Sequence, residues 1–174
     1  YEPGVMWIGT NGGGLIRMEN GRQTVFRLAT EPKSNNINSI IEMEDGSFWC
    51  ATDNGLYRVR DGAAIDHVRL DTLKIWIELT RSLDGTIWLC DEHRAAIFHP
   101  ESKRLEVPAI PGLPTDSILI VTALPDSTVA VHAFRKKHGL VYIVRNNTVL
   151  RTIETIFPAP IYTILRREGE YCIG

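Results

Sequence analysis

Three groups of residues in this chain could in principle do chemistry: the histidines, the cysteines and one glycine-rich stretch. Their spacing argues against each chemistry in turn. His93, His99, His132 and His138 are spread without the close pairing from which a metal site is built. Cys50, Cys90 and Cys172 are an odd number and form no Cys-x-x-Cys pair, so they read as small buried strand residues. "GTNGGG" at 9–14 lacks the Gly-Lys-Ser/Thr of a phosphate-binding loop. Its glycines fall between two strand-like runs rather than ahead of a helix. Neither a Gly-x-Ser-x-Gly nor a His-Glu-x-x-His pattern occurs. The sequence therefore predicts no catalytic residue, no metal and no cofactor.

What remains is non-covalent recognition, which depends on the elements that carry the polar residues. The phrase "DGSFWCATDNGLYRV" at 45–59 is a second statement of "GVMWIGTNGGGLIRM" at 4–18 and returns as "DGTIWLCDEHRAAIF" at 84–98. Aligned on the tryptophan, Trp7, Trp49 and Trp88 are followed by Ala130 and Cys172, at intervals of 42, 39, 42 and 42 residues. An acidic turn precedes each later copy: Asp45-Gly46, Asp84-Gly85, Asp126-Ser127 and Glu168-Gly169. A period of about 40 residues marks an array of one supersecondary unit.

Within a unit every signal is β. "INSIIEME" alternates, Asp45-Gly46 closes a hairpin, and "SFWCAT", "GLYRVR" and "IDHVRL" follow as three further strands. The next copies repeat this with "KIWIELTRS", "TIWLCD", "AAIFHP" and "RLEVPAI", then "SILIVTALP", "TVAVHAF", "LVYIVRN" and "TVLRTIETI". No window of 11 or more residues holds a helical period. Four antiparallel strands per repeat predict β-propeller blades. A β-helix would have shorter coils, and a sandwich would not repeat its turns at constant spacing. The expected division is 1–35 for the last three strands of a blade, 36–73, 74–114 and 115–157 for whole blades, and 158–174 for the opening of the next. The segment is read as part of a larger ring, in preference to a four-bladed ring closed by its two ends.

Composition narrows the partners. The chain has 174 residues, is 44% hydrophobic and 23% charged, and carries a net charge of −2. That is a core-forming composition with no broad attraction to nucleic acid or anionic membrane. The connections of a blade fall on two faces. One carries the short Asp-Gly, Asn-Gly and Asn-Asn turns, which read as structural. The other carries longer loops: "TNGGG", "ATEPKSNN", "TDNG", "DEHRA" and "HAFRKKHG". Binding concentrates on such loops. The candidates on that face are Asn11, Asn35, Asn36, Asp53, Asn54, Asp91, Glu92, His93, Arg94, His132, Arg135 and Lys136. Each has a plain alternative as a solvated loop residue. Trp7, Trp49 and Trp88 recur at the blade-core position and read as packing. Trp76 is unrepeated and also reads as core.

The repeat resembles the two-component regulator propeller repeat. Trp7-Ile8-Gly9-Thr10 with Gly14-Leu15, and Asp45-Gly46, Trp49, Thr52 and Gly55-Leu56-Tyr57, carry the likeness. It weakens in the third copy, where Asp91 replaces the threonine and the Gly-Leu is lost, and again in the fourth. The resemblance implies a seven-bladed ring in the extracytoplasmic, periplasmic sensor region of a bacterial membrane receptor. It implies a histidine kinase or diguanylate cyclase as output, an oligosaccharide as ligand, neighbouring blades and domains as partners, and room for a homodimer. A structural or protein-interaction ring stays open as a second reading, and a propeller lyase or glycosidase as a third.

Overall fold

The computed structural model describes residues 4–70, 78–91, 93–114, 117–135, 138–155, 164–167 and 170–173. Trp76, Glu92 and Lys136 lie outside them. The chain divides into two compact units, Tyr1–Ile77 and Glu78–Gly174.

In the first unit, β1 (Val5–Thr10), β2 (Gly14–Glu19) and β3 (Arg22–Phe26) form a three-stranded antiparallel sheet. A second sheet takes β4 (Ile37–Glu42), β5 (Phe48–Thr52), β6 (Gly55–Arg60) and β7 (Ala63–Val68) in sequence order. Each outer hairpin turns on two residues of positive φ: Asn20 at 49° with Gly21 at 75°, and Asp61 at 51° with Gly62 at 79°. Such left-handed pairs match the right-handed twist of the flanking strands. The core of this unit joins the sheets through Leu15, Ile37, Phe48, Cys50, Tyr57 and Val59. Between them, Pro32–Asn35 forms a single 3-10 turn inside what reads in sequence as an open loop.

The second unit repeats the plan. β8 (Glu78–Arg81), β9 (Ile87–Cys90), β10 (Ala95–His99) and β11 (Arg104–Glu106) make one four-stranded sheet. β12 (Ile118–Ala123), β13 (Val129–Arg135), β14 (His138–Arg145) and β15 (Thr148–Thr155) make the next. β16 (Ile164–Arg167) pairs with β17 (Glu170–Ile173). Trp88, Cys90, Leu119, Val121, Val131 and Val144 fill the core between the two four-stranded sheets.

The acidic turn is a small hydrogen-bonded device whose third residue matters as much as its first. Asp45 Oδ1 accepts from the backbone N–H of Ser47 at 3.0 Å and from its hydroxyl at 2.6 Å. Asp84 does the same with Thr86, at 2.9 and 2.6 Å. Asp126 does so with Thr128. The repeat unit is thus Asp-x-Ser/Thr, an Asx-type turn that sets the hairpin from within. Arg58 and Arg60 further pair with Asp45. Its carboxyl is held down at about 2, chiefly by the Ser47 hydroxyl and N–H and then by the two arginines.

One strand is shorter than expected. "RLEVPAI" reads as a fourth strand, but β11 ends at Glu106. Pro108 and Pro111 lack the N–H that the ladder needs, so pairing stops and the chain leaves the sheet.

Candidate binding face

In the first unit the loop ends of the strands gather a compact set of polar side chains. Asn11 lies between β1 and β2, and Asn36 just ahead of β4; the two form an isolated β-bridge. Asp53 lies between β5 and β6. Its carboxylate accepts from Asn36 Nδ2 at 2.7 Å and from Asn38 Nδ2 at 3.0 Å, one amide on each oxygen. The ladder skips from Ile37 to Ser39 at this point, so Asn38 is a bulge residue. Bulges re-aim side chains in this way next to functional sites. Asn11 and Asn38 are exposed, and Asn36 and Asp53 half-buried.

A second network holds Asn54, the residue next to Asp53. Asn54 Nδ2 donates to Ser34 Oγ at 3.0 Å, and Ser34 Oγ shares a 2.9 Å hydrogen bond with Tyr57 OH. His67 stacks on Tyr57, with ring centroids 4.1 Å apart and planes inclined by 11°. Its Nε2 hydrogen-bonds the Asn54 carbonyl at 2.8 Å. The Thr52 hydroxyl accepts from Asn54 N–H and donates to the Gly55 carbonyl, at 3.1 and 2.9 Å. The loop is therefore fixed in place before any ligand arrives.

Asn35 plays a different part from its neighbour. It is 1% exposed, and its Oδ1 accepts from Leu28 N–H while its Nδ2 donates to the carbonyls of Ala29 and Glu31. These bonds hold the loop before β4 together from within, and Asn35 is not presented to a ligand.

In the second unit, Asp91 holds the structural position that Thr52 holds in the first. It is 5% exposed, and its Oδ1 accepts from the N–H groups of His93 and Arg94, at 2.9 and 2.7 Å. Its Oδ2 receives Arg94 Nε and an Arg94 terminal nitrogen, at 3.1 and 2.8 Å. His93 Nδ1 reaches the Ser117 carbonyl at 3.4 Å.

Two candidates fall in a strand rather than a loop. His132 is fully buried in β13, opposite Ile120 and Val141. Arg135 and His138 pair across the β13–β14 ladder. What reads as an eight-residue loop, "HAFRKKHG", is thus largely strand, with β13 running through Arg135 and β14 starting at His138. Of the repeat tryptophans, Trp49 is 1% and Trp88 7% exposed, as core positions require. Trp7, on β1, is half-buried. It packs on Phe26 and Phe48 at 5.6 and 5.2 Å, with Arg17 over its ring at 5.9 Å.

Asn38, Ser34, Tyr57 and His67 are absent from the sequence-based candidates. The Asn36/Asn38 spacing at the head of a strand is the signal that could have flagged the first. Glu78 is a further addition. It lies at the head of β8, and burial pushes its carboxyl up to about 7.

The chemistry open to the Asn11–Asn36–Asn38–Asp53 set is hydrogen bonding by neutral amides around one carboxylate, without an acid–base pair or a nucleophile. Among the described residues, no group of three His, Cys, Asp or Glu side chains could hold a metal ion.

No protein-family model matches the chain, and no curated protein matches it in sequence. Solved structures do match in fold. The extracellular domain of the one component system BT4673 from B. thetaiotaomicron aligns with a TM-score of 0.77 at 14% identity, over 97% of this chain and 25% of that one. Virginiamycin B lyase from Staphylococcus aureus aligns at 0.71 and 16%, over 93% of this chain and 56% of that one. The WD40 β-propeller domain of Doa1 aligns at 0.72 and 11%, over 100% and 58%. The chain is built of β-propeller blades. It spans a quarter of the sensor domain's length and just over half of the lyase's. At these identities the likeness establishes the fold, which sensors, lyases and interaction domains share.

Proposed function

We propose that this chain is a ligand-recognising, non-catalytic part of a sensor propeller. In this reading it belongs to the extracytoplasmic region of a bacterial membrane receptor with a kinase or cyclase output. The observation that carries the reading is the Asp53 carboxylate clasped by Asn36 and Asn38 on the loop face. Amides and one carboxylate on a rigid rim suit a ligand rich in hydroxyls, and an oligosaccharide is the class that fits. On the opposite face, by contrast, Asp45, Asp84 and Asp126 are taken up by the Ser or Thr of their own turns, and Asp45 also by arginines of its own blade. The fold likeness to an extracellular sensor domain agrees with this reading.

The test is a receptor-driven reporter in cells. Asp53→Ala and Asn36→Ala should abolish the response to the inducing oligosaccharide at unchanged receptor level. Asn20→Gly and Asn147→Gly, in the opposite turns, should respond normally. The opposite pattern overturns the proposal. Mass spectrometry of the oligosaccharide after incubation with the protein should return it intact, and a cleaved product would favour the lyase or glycosidase reading.

A further inference from the structure

The third copy of the repeat departs from the others in three places, and the departures meet at one spot. Gly14 and Gly55 open their strands where an added Cβ would lie 2.3 and 2.4 Å from the backbone carbonyls of Phe26 and Val68. The outer strand closes tightly against those positions. The corresponding residue of the third copy is Arg94, opposite Asp91, and β11 stops at Glu106 before reaching it. The space left open is a pocket of about 330 Å³, bounded by His93, Arg94, Ala95, the 107–114 segment and Leu119 of β12.

The walls are apolar and preset. Ile110 and Leu119 form a buried floor, at 8% and 2% exposure, and Val107 stands at the rim, 53% exposed. Ile110–Leu113 is a tight turn closed by a 3.2 Å hydrogen bond, with Pro111 second and Gly112 at φ 92° third. That is the arrangement of a type II turn, and Pro108 stiffens the approach to it. His93 and Arg94 also line the pocket. Buried Asp91 grips the Arg94 guanidinium through two of its nitrogens, and the side chain is still 44% exposed. Asp91 spreads part of its own charge onto two backbone N–H groups, so the arginine is fixed without being covered. An oriented guanidinium at the mouth of an apolar pocket selects a carboxylate with a hydrocarbon body.

We propose that this pocket is a binding site for a small organic carboxylate with a compact apolar or aromatic body. It is separate from the polar set around Asp53 and does not rest on the sugar-sensing reading. The volume sits at the small end of ligand pockets and suits a ligand of benzoate size.

The experiment is an amide-shift titration of the 174-residue chain with benzoate and with benzamide, its neutral counterpart. Benzoate should shift the amides of Ala95, Val107 and Ile110 with a dissociation constant on the order of millimolar, as a nine-atom ligand allows. Benzamide should bind about tenfold more weakly. Arg94→Gln should remove this preference. Because that change also leaves Asp91 without its cation, Val107→Asp supplies a second test at an exposed position, and it should weaken benzoate and spare benzamide. Equal binding of the two probes, shifts centred elsewhere, or no shift at millimolar concentration would each overturn the proposal.

Discussion

Glu78 lies directly across the β8–β9 ladder from Cys90, and burial raises the pKa of both. The carboxyl is pushed up to about 7 and the thiol to about 12, the latter by desolvation first and then by the Glu78 charge. For Glu78 the folded value stands above the ordinary 4.5, so the folded state holds more protons than the unfolded state between pH 4.5 and about 7. Stability should therefore fall as pH rises through that window. Glu78→Gln should flatten the profile, matching the native chain near pH 4.5 and exceeding it at pH 8. Thermal midpoints across pH 4.5–8 are the measurement, and parallel profiles for the two proteins would refute the assignment. Glu78 is only half-buried, which softens the effect through solvent screening.

Gly55 has φ 106°, and an added Cβ would meet the Val68 carbonyl at 2.4 Å. Gly55→Ala should cost about 2–3 kcal/mol, because strain and a backbone clash coincide. In the third copy, Ala95→Gly, at the head of β10 where no outer strand closes, should cost only about 0.5–1 kcal/mol, the ordinary penalty for glycine in a strand. Urea unfolding of the two variants compares these values, and equal losses would contradict the packing described for the outer strands.

Trp49 is 1% exposed, whereas Trp7 is half-buried. Trp49→Ala should destabilise by about 3–5 kcal/mol. Trp7→Ala should cost about 1–2 kcal/mol, in keeping with its smaller buried area. Denaturant midpoints of the two variants test the ranking, and the reverse order would show that the repeat tryptophans do not differ in burial as described.

The blade plan was legible because its signals are local. Asp45, Gly46 and Ser47 make their turn within three residues, and the Asn20-Gly21 and Asp61-Gly62 pairs carry their left-handed geometry in their own identities. The candidate site was legible only in part. Asn35 and Asn36 are adjacent in sequence, yet one is buried in its own loop and the other holds Asp53, a difference set by how residues 28–36 fold back. His132 and Arg135 looked like loop residues because "HAFRKKHG" carries loop composition, while cross-strand pairing extends β13 through them. Glu78 gave no signal at all, since its carboxyl is perturbed by burial and not by sequence neighbours.

Among the described residues, each strand pairs only with the strand before or after it in sequence. Contact order within a sheet is consequently low, and loop closure costs little entropy. Hairpins begun at the Asp-x-Ser/Thr turns can form on a microsecond scale, leaving sheet-on-sheet docking as the slower event. The same locality shapes inheritance. A copy can be duplicated, lost or allowed to drift, as the third has done around Ala95, without rethreading the rest of the chain. New recognition surfaces can therefore arise one repeat at a time.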